Sequence, residues 1–247
     1  MQRLQGMCKT WLPCNCVADR KWWQRKGVHR HSVVRRLRRV HPTVQIHGNK
    51  GNQMNDTVTN ILLVGVGGQG ILVASEIISE ALMLAGFDVK KSEVHGMAQR
   101  GGSVVSHVRF GAKVYSPIIP EGEADILVGF ELLEAYRYLP LMKKSARIVV
   151  NNLRINPPSV STGKETYPEG IDGKISKLYP DSIFIDGIEL AKQAGNAKTA
   201  NTVLLGALSA LSGADEEFWL NAIEKMVPGK TLEVNKKAFE LGKNSIA

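Results

Sequence analysis

A glycine-rich turn between an apolar strand and an apolar helix restricts this chain more than any other feature. Residues 60–65 (NILLVG) form a short apolar run typical of a buried strand. The run leads into Gly65, Gly67 and Gly70, which have the G-x-G-x-x-G spacing. Residues 71–86 then place apolar side chains at helical intervals. A strand, turn and helix in this order predict an α/β fold built on a parallel sheet.

The rest of the chain continues this alternation of strands and helices. Further strands are expected at 87–94, 125–129, 147–151 and 182–186, and a strand pair at 103–110 and 113–115 around Gly111. A helix is expected at 130–144, with its last turn broken by Pro140. An extended loop is expected at 152–173, and helices from Ile188 onwards. The sequence therefore predicts a mostly parallel, Rossmann-like sheet that helices flank on both faces. A β-hairpin excursion and a helical C-terminal part complete the expected fold.

The net charge of +9 hides two different compositions. Residues 1–56 hold twelve of the 32 Lys and Arg residues and two of the 23 Asp and Glu residues, so this segment has a charge of +10 and the remainder has −1. All three cysteines also lie in this segment. We therefore predict two parts: a basic leader at 1–56 and a folded domain at 57–247.

The basic leader allows several interpretations. Its Arg-rich stretch up to Pro42 suits a nucleic-acid or membrane surface, or a transit-like segment. A secretory signal is not expected because an apolar core region is missing. We favour a leader that is disordered or lies outside the native fold, because residues 48–57 read as a polar linker and Met54 stands where a translation start would be.

The glycine loop has two interpretations of its own. Gly65, Gly67, Gly68 and Gly70 precede a helix N-terminus, which offers N–H groups and positive potential to a phosphate. A dinucleotide enzyme also needs an acidic residue about 20 positions further on, at the end of the second strand. That region holds Lys90 and Lys91, which would instead suit the 2′-phosphate of NADP. The other interpretation is that the glycines only form a tight, closely packed turn.

A second loop, after the predicted second strand, is expected to lie beside the glycine loop, because ligands gather at the carboxyl ends of parallel strands. It contains His95, Arg100, Gly101 and Gly102. Arg100 is a planar donor suited to a phosphate or carboxylate, and His95 titrates near neutral pH. An ordinary structural role for both is the alternative: a capped loop histidine, and an arginine paired with an acidic residue at the rim, either Glu93 or Glu131.

The sequence indicates no catalytic residue of its own in this domain. It shows no Ser/His/Asp spacing, no cysteine nucleophile beyond residue 56 and no metal-binding cluster. No run approaches the roughly 18 apolar residues of a membrane helix. These observations favour a binding or interface role and a cytoplasmic location.

Several segments together resemble one known family. These are GVGGQG at 65–70, EVHGMAQRGGSVVSHVRFG at 93–111, SPIIPEGEADILVGFELLEA at 116–135, IVVNNLRINPPSV at 148–160 and AGNAKTANTVLLGAL at 194–208. In this order and spacing they are similar to the gamma domain of 2-oxoacid:ferredoxin oxidoreductases, over about residues 57–240. The match includes Asn201, and the stretch HGMAQRGG looks like that of the indolepyruvate-type members.

The resemblance implies a division of labour. A large partner subunit is expected to hold thiamine diphosphate and [4Fe-4S] clusters and to decarboxylate an aryl 2-oxoacid such as indolepyruvate. Coenzyme A is expected to accept the acyl group, and ferredoxin the electrons. This chain is then the small subunit, inactive alone, with His95–Gly102 at an interface or at the entrance to the partner's active site and Arg100 steering an anion.

Two other functions remain open at this point. One is an independent NADP-dependent oxidoreductase that uses the glycine loop with Lys90 and Lys91. The other, which is not favoured, is a nucleic-acid binder that uses the basic leader.

Overall fold

The computed structural model describes residues 57–95, 101–212 and 214–246. Their strands form a single six-stranded sheet in the order β2-β3-β1-β4-β5-β6. The strands are β1 (Thr59–Val66), β2 (Asp88–His95), β3 (Ser103–Gly111), β4 (Ala124–Gly129), β5 (Met142–Asn151) and β6 (Ile183–Ile185). Strands β1, β4, β5 and β6 pair in parallel, whereas β3 is antiparallel to both of its neighbours, β1 and β2. The expected mostly parallel sheet is confirmed.

Helices pack on both faces of this sheet. They are α1 (Ile71–Leu84), α2 (Leu132–Tyr138), α3 (Pro158–Ser161), α4 (Ile171–Leu178), α5 (Gly187–Ala194), α6 (Ala200–Ser212), α7 (Glu216–Met226) and α8 (Leu232–Asn244). Helices α1 and α5–α8 share one core cluster with the sheet, and α2 and α4 share the other. The predicted helical C-terminal part is therefore confirmed, and it forms the thicker of the two layers.

Strand β1 lies at the centre of the core. Ile61 and Leu63 face the layer of α1 and α6, while Leu62 and Val64 face the layer of α2. All four side chains are fully buried. Burial on both faces explains why this strand reads as a continuous apolar run and not as an alternation.

The predicted strand pair around Gly111 is wrong, because its two segments do not pair with each other. Residues 113–115 are not a strand, and β3 pairs instead with β2 and β1. The backbone N–H of Val114 donates to Asp88 Oδ2 at 2.9 Å, and Lys113 lies 3.7 Å from the same carboxylate. Asp88 thus turns the chain away after Gly111. The hairpin is formed by β2 and β3, so the excursion exists but lies earlier in the chain than predicted.

Two element boundaries also differ from the expectation. Helix α2 ends at Tyr138, and a 3₁₀ turn, Leu139–Leu141, leads straight into β5. Proline lacks an N–H, so Pro140 ends the helix completely, and Met142 pairs with Ala124 of β4. The expected loop at 152–173 contains α3 and the start of α4, because Ile171 and Ile175, four residues apart, are both buried in the core.

The prediction for the basic leader at 1–56 lies outside the described residues. Within the part of the chain that the structure describes, no helix is long and apolar enough to cross a membrane.

Candidate functional site

The carboxyl edge of the sheet brings the two sequence-predicted loops together. The order of strands reverses between β1 and β4, since the chain proceeds from β1 to β2 and β3 on one side and from β4 to β5 and β6 on the other. Such a switch point opens a crevice beyond the strand ends. The glycine loop follows β1 into this crevice, and Glu131 enters it directly after β4.

The side chain of Gln69 occupies the inside of the glycine loop. Its Oε1 accepts the Val66 N–H at 2.6 Å, and its Nε2 donates to the Phe130 carbonyl at 2.8 Å. A Cβ atom at Gly65 would lie 2.6 Å from Gln69 Oε1 and 2.7 Å from Phe130 Cβ. Gly65 is therefore required by close packing, and Gln69 ties the end of β1 to the end of β4.

The second glycine of the motif continues the β1–β3 ladder. Val66 pairs with Ser103, and the next residue, Gly67, donates its N–H to the Gly102 carbonyl at 2.8 Å. The Gly101 N–H approaches the Gly67 carbonyl at 3.5 Å. The two predicted loops thus contact each other through their backbones, as their expected position at one edge implied.

Asn201 also reaches the glycine loop, from the opposite end of the chain. It lies in the first turn of α6, and a Cβ atom at Gly70 would stand 3.0 Å from its Nδ2. Gly68, in contrast, is exposed at the tip of the loop. The structure therefore groups Gly65, Gly67, Gly70 and Asn201 with Gly102, but it shows no role for them beyond packing and pairing.

The remaining two predicted residues are less fully placed. His95 is the last residue of β2, opposite Val104 in the register with β3, so its backbone is at the carboxyl edge. Arg100 lies outside the described residues. Of the acidic partners suggested for Arg100, Glu93 receives Ser75 Oγ at 2.7 Å and Lys91 Nζ at 2.9 Å.

A cavity of about 240 Å³ lies beside the paired loops. Its lining includes the backbone of Gly101 and Gly102, Ser103, and two glutamates that follow β4, Glu131 and Glu134. Both glutamates are nearly inaccessible, with exposed fractions of 1% and 3%. Buried carboxylates require compensating hydrogen bonds, and each of these has them.

Glu131 joins three segments of the chain. Its Oε2 caps α2 by accepting the Glu134 N–H at 2.8 Å, while its Oε1 accepts the Ile155 N–H at 3.2 Å and the Tyr167 hydroxyl at 2.5 Å. Burial and this hydrogen bond raise the pKa of Tyr167 above its ordinary value. The guanidinium of Arg154 lies over the Tyr167 ring, with its Cζ atom 4.1 Å from the ring centroid. The suggested pairing with Arg100 required Glu131 to lie at the rim. Glu131 is instead buried and holds three segments together.

Glu134 fixes the other side of the cavity. It accepts Ser103 Oγ at 2.5 Å and Arg137 Nη1 at 2.6 Å. Glu134 was not predicted from the sequence, although polar residues directly after a buried strand are a signal that could have found it. Through Ser103, Glu134 connects α2 to the segment that carries Gly101 and Gly102.

The geometry argues against a dinucleotide at the glycine loop. The N–H of the second glycine, which closely approaches the pyrophosphate in that motif, is bonded here to Gly102. Strand β3 separates β2 from β1, so the end of β2 is not adjacent to the loop. Lys91 contacts Glu76 and Glu93, and Lys90 contacts Asp88. These lysines are engaged in ion pairs and do not form a 2′-phosphate site with the loop.

The described residues do not fit an iron–sulfur cluster or a metal centre. Every cysteine of the chain precedes residue 57. In the described ranges, no group of three or more His, Cys, Asp or Glu side chains is arranged to hold a metal ion.

Comparison with known proteins identifies similar chains and folds. The model of the pyruvate ferredoxin/flavodoxin oxidoreductase family matches residues 60–245. The chain is 44% identical over 190 residues to indolepyruvate oxidoreductase subunit IorB of Thermococcus kodakarensis, which covers 74% of this chain and 93% of that protein. It is 43% identical over 188 residues to the IorB subunit of Pyrococcus horikoshii, with 74% and 93% coverage.

Longer proteins and solved structures share the same domain. Ketoisovalerate oxidoreductase subunit VorA of Methanothermobacter marburgensis is 26% identical over 187 residues, which are 35% of its length. The gamma subunit of the keto/oxoacid ferredoxin oxidoreductase of Geobacter sulfurreducens superposes with a TM-score of 0.56 at 26% identity, covering 76% of this chain and 98% of that one. The 2-oxoglutarate:ferredoxin oxidoreductase of Magnetococcus marinus has the same fold in 31% of its chain, with a TM-score of 0.59, 21% identity and 79% of this chain covered.

Proposed function

Because the chain belongs to the pyruvate ferredoxin/flavodoxin oxidoreductase family, we propose that it is the small subunit of an indolepyruvate oxidoreductase. The observation that carries this proposal is the 44% identity to an IorB subunit over 93% of that subunit's length. The relatives named for ketoisovalerate and 2-oxoglutarate are only 26% identical. The substrate is therefore an aryl 2-oxoacid.

The chemistry is assigned to a larger partner subunit. That subunit holds thiamine diphosphate and [4Fe-4S] clusters, which supply decarboxylation and electron transfer when they are bound. Coenzyme A takes the acyl group and ferredoxin takes the electrons, and the complex is cytoplasmic. Family membership supports this assignment, as does the use of the glycine loop for internal packing.

This chain contributes a rigid edge next to the partner's site. The glycine loop and Gly101–Gly102 are joined by backbone hydrogen bonds, and Glu131 and Glu134 hold the cavity beside them. We assign His95–Gly102 to an interface or to the entrance to the partner's active site. Arg100 steers an anionic group of the oxoacid or of coenzyme A, since a guanidinium suits carboxylates and phosphates.

The domain proposal follows from the same comparisons. The family model begins at residue 60 and ends at 245. We therefore assign the subunit's function to residues 57–247 and treat the basic leader as dispensable for it.

Two experiments test these proposals. The chain is purified together with its large subunit, and the complex is analysed for thiamine diphosphate and iron. We expect a stable complex that contains both, and a chain that forms no such complex contradicts the assignment. In the complex, Arg100→Ala should raise KM for the oxoacid or for coenzyme A about tenfold. The isolated variant should remain folded, and Lys192→Ala, which removes an exposed lysine on α5, serves as the matched control.

A further inference from the structure

One part of the sheet has no helix over it in the described residues. Helix α2 packs against β1, β4 and β5, and α4 packs against α2. Helix packing on β2 and β3 comes from α1, which lies on the opposite face. The sequence predicted helices on both faces of the sheet, whereas antiparallel strands such as β2 and β3 can leave one face without them. The expected two-sided cover is therefore incomplete at the β2–β3 end.

The alternation of side chains along β2 shows which residues occupy this uncovered area. Lys91 and Glu93 point towards α1, where they contact Glu76 and Ser75. Successive side chains of a strand point to opposite faces, so Val94 belongs to the other side. It is 58% exposed.

The loop after β3 lies over the same side of the sheet, where it bonds to Arg109 and His107, and it carries two more exposed apolar side chains. Tyr115 is 90% exposed and Ile118 is 49% exposed. The loop is held in place, because Arg109 Nη1 donates to the Ile118 carbonyl at 3.0 Å and the Ile119 N–H donates to His107 Nδ1 at 3.3 Å. We refer to Val94, Tyr115 and Ile118 as the open face.

Two lysines next to the open face share one negatively charged partner. Lys90 and Lys113 lie beside it, with side chains 45% and 66% exposed, and Asp88 between them neutralises only one of the two. The basic leader, at +10, and a second copy of this face would each bring like charges together. A partner surface with carboxylates at its rim is complementary.

We propose that the open face binds the large subunit, through an apolar surface that acidic side chains surround. This inference rests on the proposed function, and it extends the interface assigned to His95–Gly102, since Val94 directly precedes that loop. Its support also comes from longer relatives. In VorA and in the Magnetococcus marinus enzyme this domain is about a third of a longer chain, so further protein accompanies the same fold there.

The test measures the affinity of the purified chain for its immobilised large subunit. Ile118→Asp and Tyr115→Asp each place a charge on the open face, and each should weaken binding about 30-fold. Met83→Asp is the matched control, because Met83 is 50% exposed on α1, away from the open face, and it should leave the affinity within about twofold. Lys113→Glu should weaken binding and reduce its dependence on salt.

Three other outcomes would overturn the inference, each for a different reason. Wild-type affinity in both aspartate variants shows that the large subunit binds elsewhere. If these variants instead change the melting temperature or the oligomeric state of the isolated chain, the leader or a second copy covers the face. A wild-type chain that does not bind the large subunit at all refutes the proposed function, and this inference with it.

Discussion

Gln69 separates this glycine loop from a dinucleotide-binding loop. Its amide fills the turn and bonds to both Val66 and Phe130, so backbone donors that would serve a phosphate elsewhere are used in the fold. The G-x-G-x-x-G spacing was read correctly as a strand–turn–helix signal. The spacing alone did not show whether the turn is open or filled, because that depends on a side chain from within it.

The packing role of the loop predicts different effects at two of its glycines. Gly65→Ala should lower the free energy of unfolding by about 3 kcal/mol, because the added methyl group meets atoms of Gln69, Phe130 and Ile71. Gly68→Ala should cost about 1 kcal/mol, since Gly68 has open space around it and only its φ of +103° is unfavourable. Urea denaturation measures both. Equal losses would contradict a closely packed loop.

Tyr167 gives the chain a dependence on high pH. Its raised pKa means that the folded state favours the neutral phenol, so its contribution to stability is complete below pH 10 and is lost as the pH rises above that value. Tyr167→Phe should be about 1 kcal/mol less stable near neutral pH, because Glu131 loses a donor. The difference from wild type should then narrow above pH 10.

Denaturation of both proteins across this pH range provides the measurement. Tyr115→Phe, which makes the same change at an exposed tyrosine, is the control. A gap between wild type and Tyr167→Phe that stays constant up to about pH 11 would falsify the role of the buried phenol.

At the scale of elements, the sequence predicted the elements with strong apolar patterns and missed those set by distant contacts. Strand β1 and helix α1 were found because both are apolar and border on glycines. The partner of β3 was missed because Asp88, more than twenty residues away, redirects the chain after Gly111. The early start of β5 depends on pairing with β4, which local propensity does not reveal.

Likewise, only part of the candidate site could be predicted from the sequence. The two loops and Asn201 were identified from the sequence, and the structure groups Gly65, Gly67, Gly70 and Asn201 with Gly102. The glutamates after β4 were not recognised as parts of the site, since their burial and their hydrogen bonds to Tyr167, Ile155 and Ser103 arise only from the tertiary fold.

Helix α2 is expected to hold the loop segment at 101–103 through a single side-chain contact. Ser103→Ala removes the donor to Glu134 and should cost about 1 kcal/mol. Amide hydrogen exchange at residues 101–104 should become about tenfold faster, because local opening becomes easier. Ser159→Ala, which removes an exposed bond to Glu165, is the control. Unchanged exchange in Ser103→Ala would show that backbone pairing alone fixes the loop.

At the scale of the whole molecule, the difference in composition between the basic leader and the folded domain predicts how truncation affects folding and activity. A chain that begins at Met54 should match the full chain in melting temperature, and in complex activity within about twofold, because every described core residue is retained. A chain that begins at Leu63 loses half of β1 and should not fold. Loss of activity in the Met54 chain would assign a function to the leader.

Our central proposal is that this polypeptide supplies a rigid, shaped edge for chemistry carried out by another. The most direct test is a turnover assay with indolepyruvate, coenzyme A and ferredoxin, in which each purified subunit is measured alone and then with the other. We expect activity only in the mixture, and no NADP reduction by this chain. Turnover by this chain in isolation, with either acceptor, would contradict it.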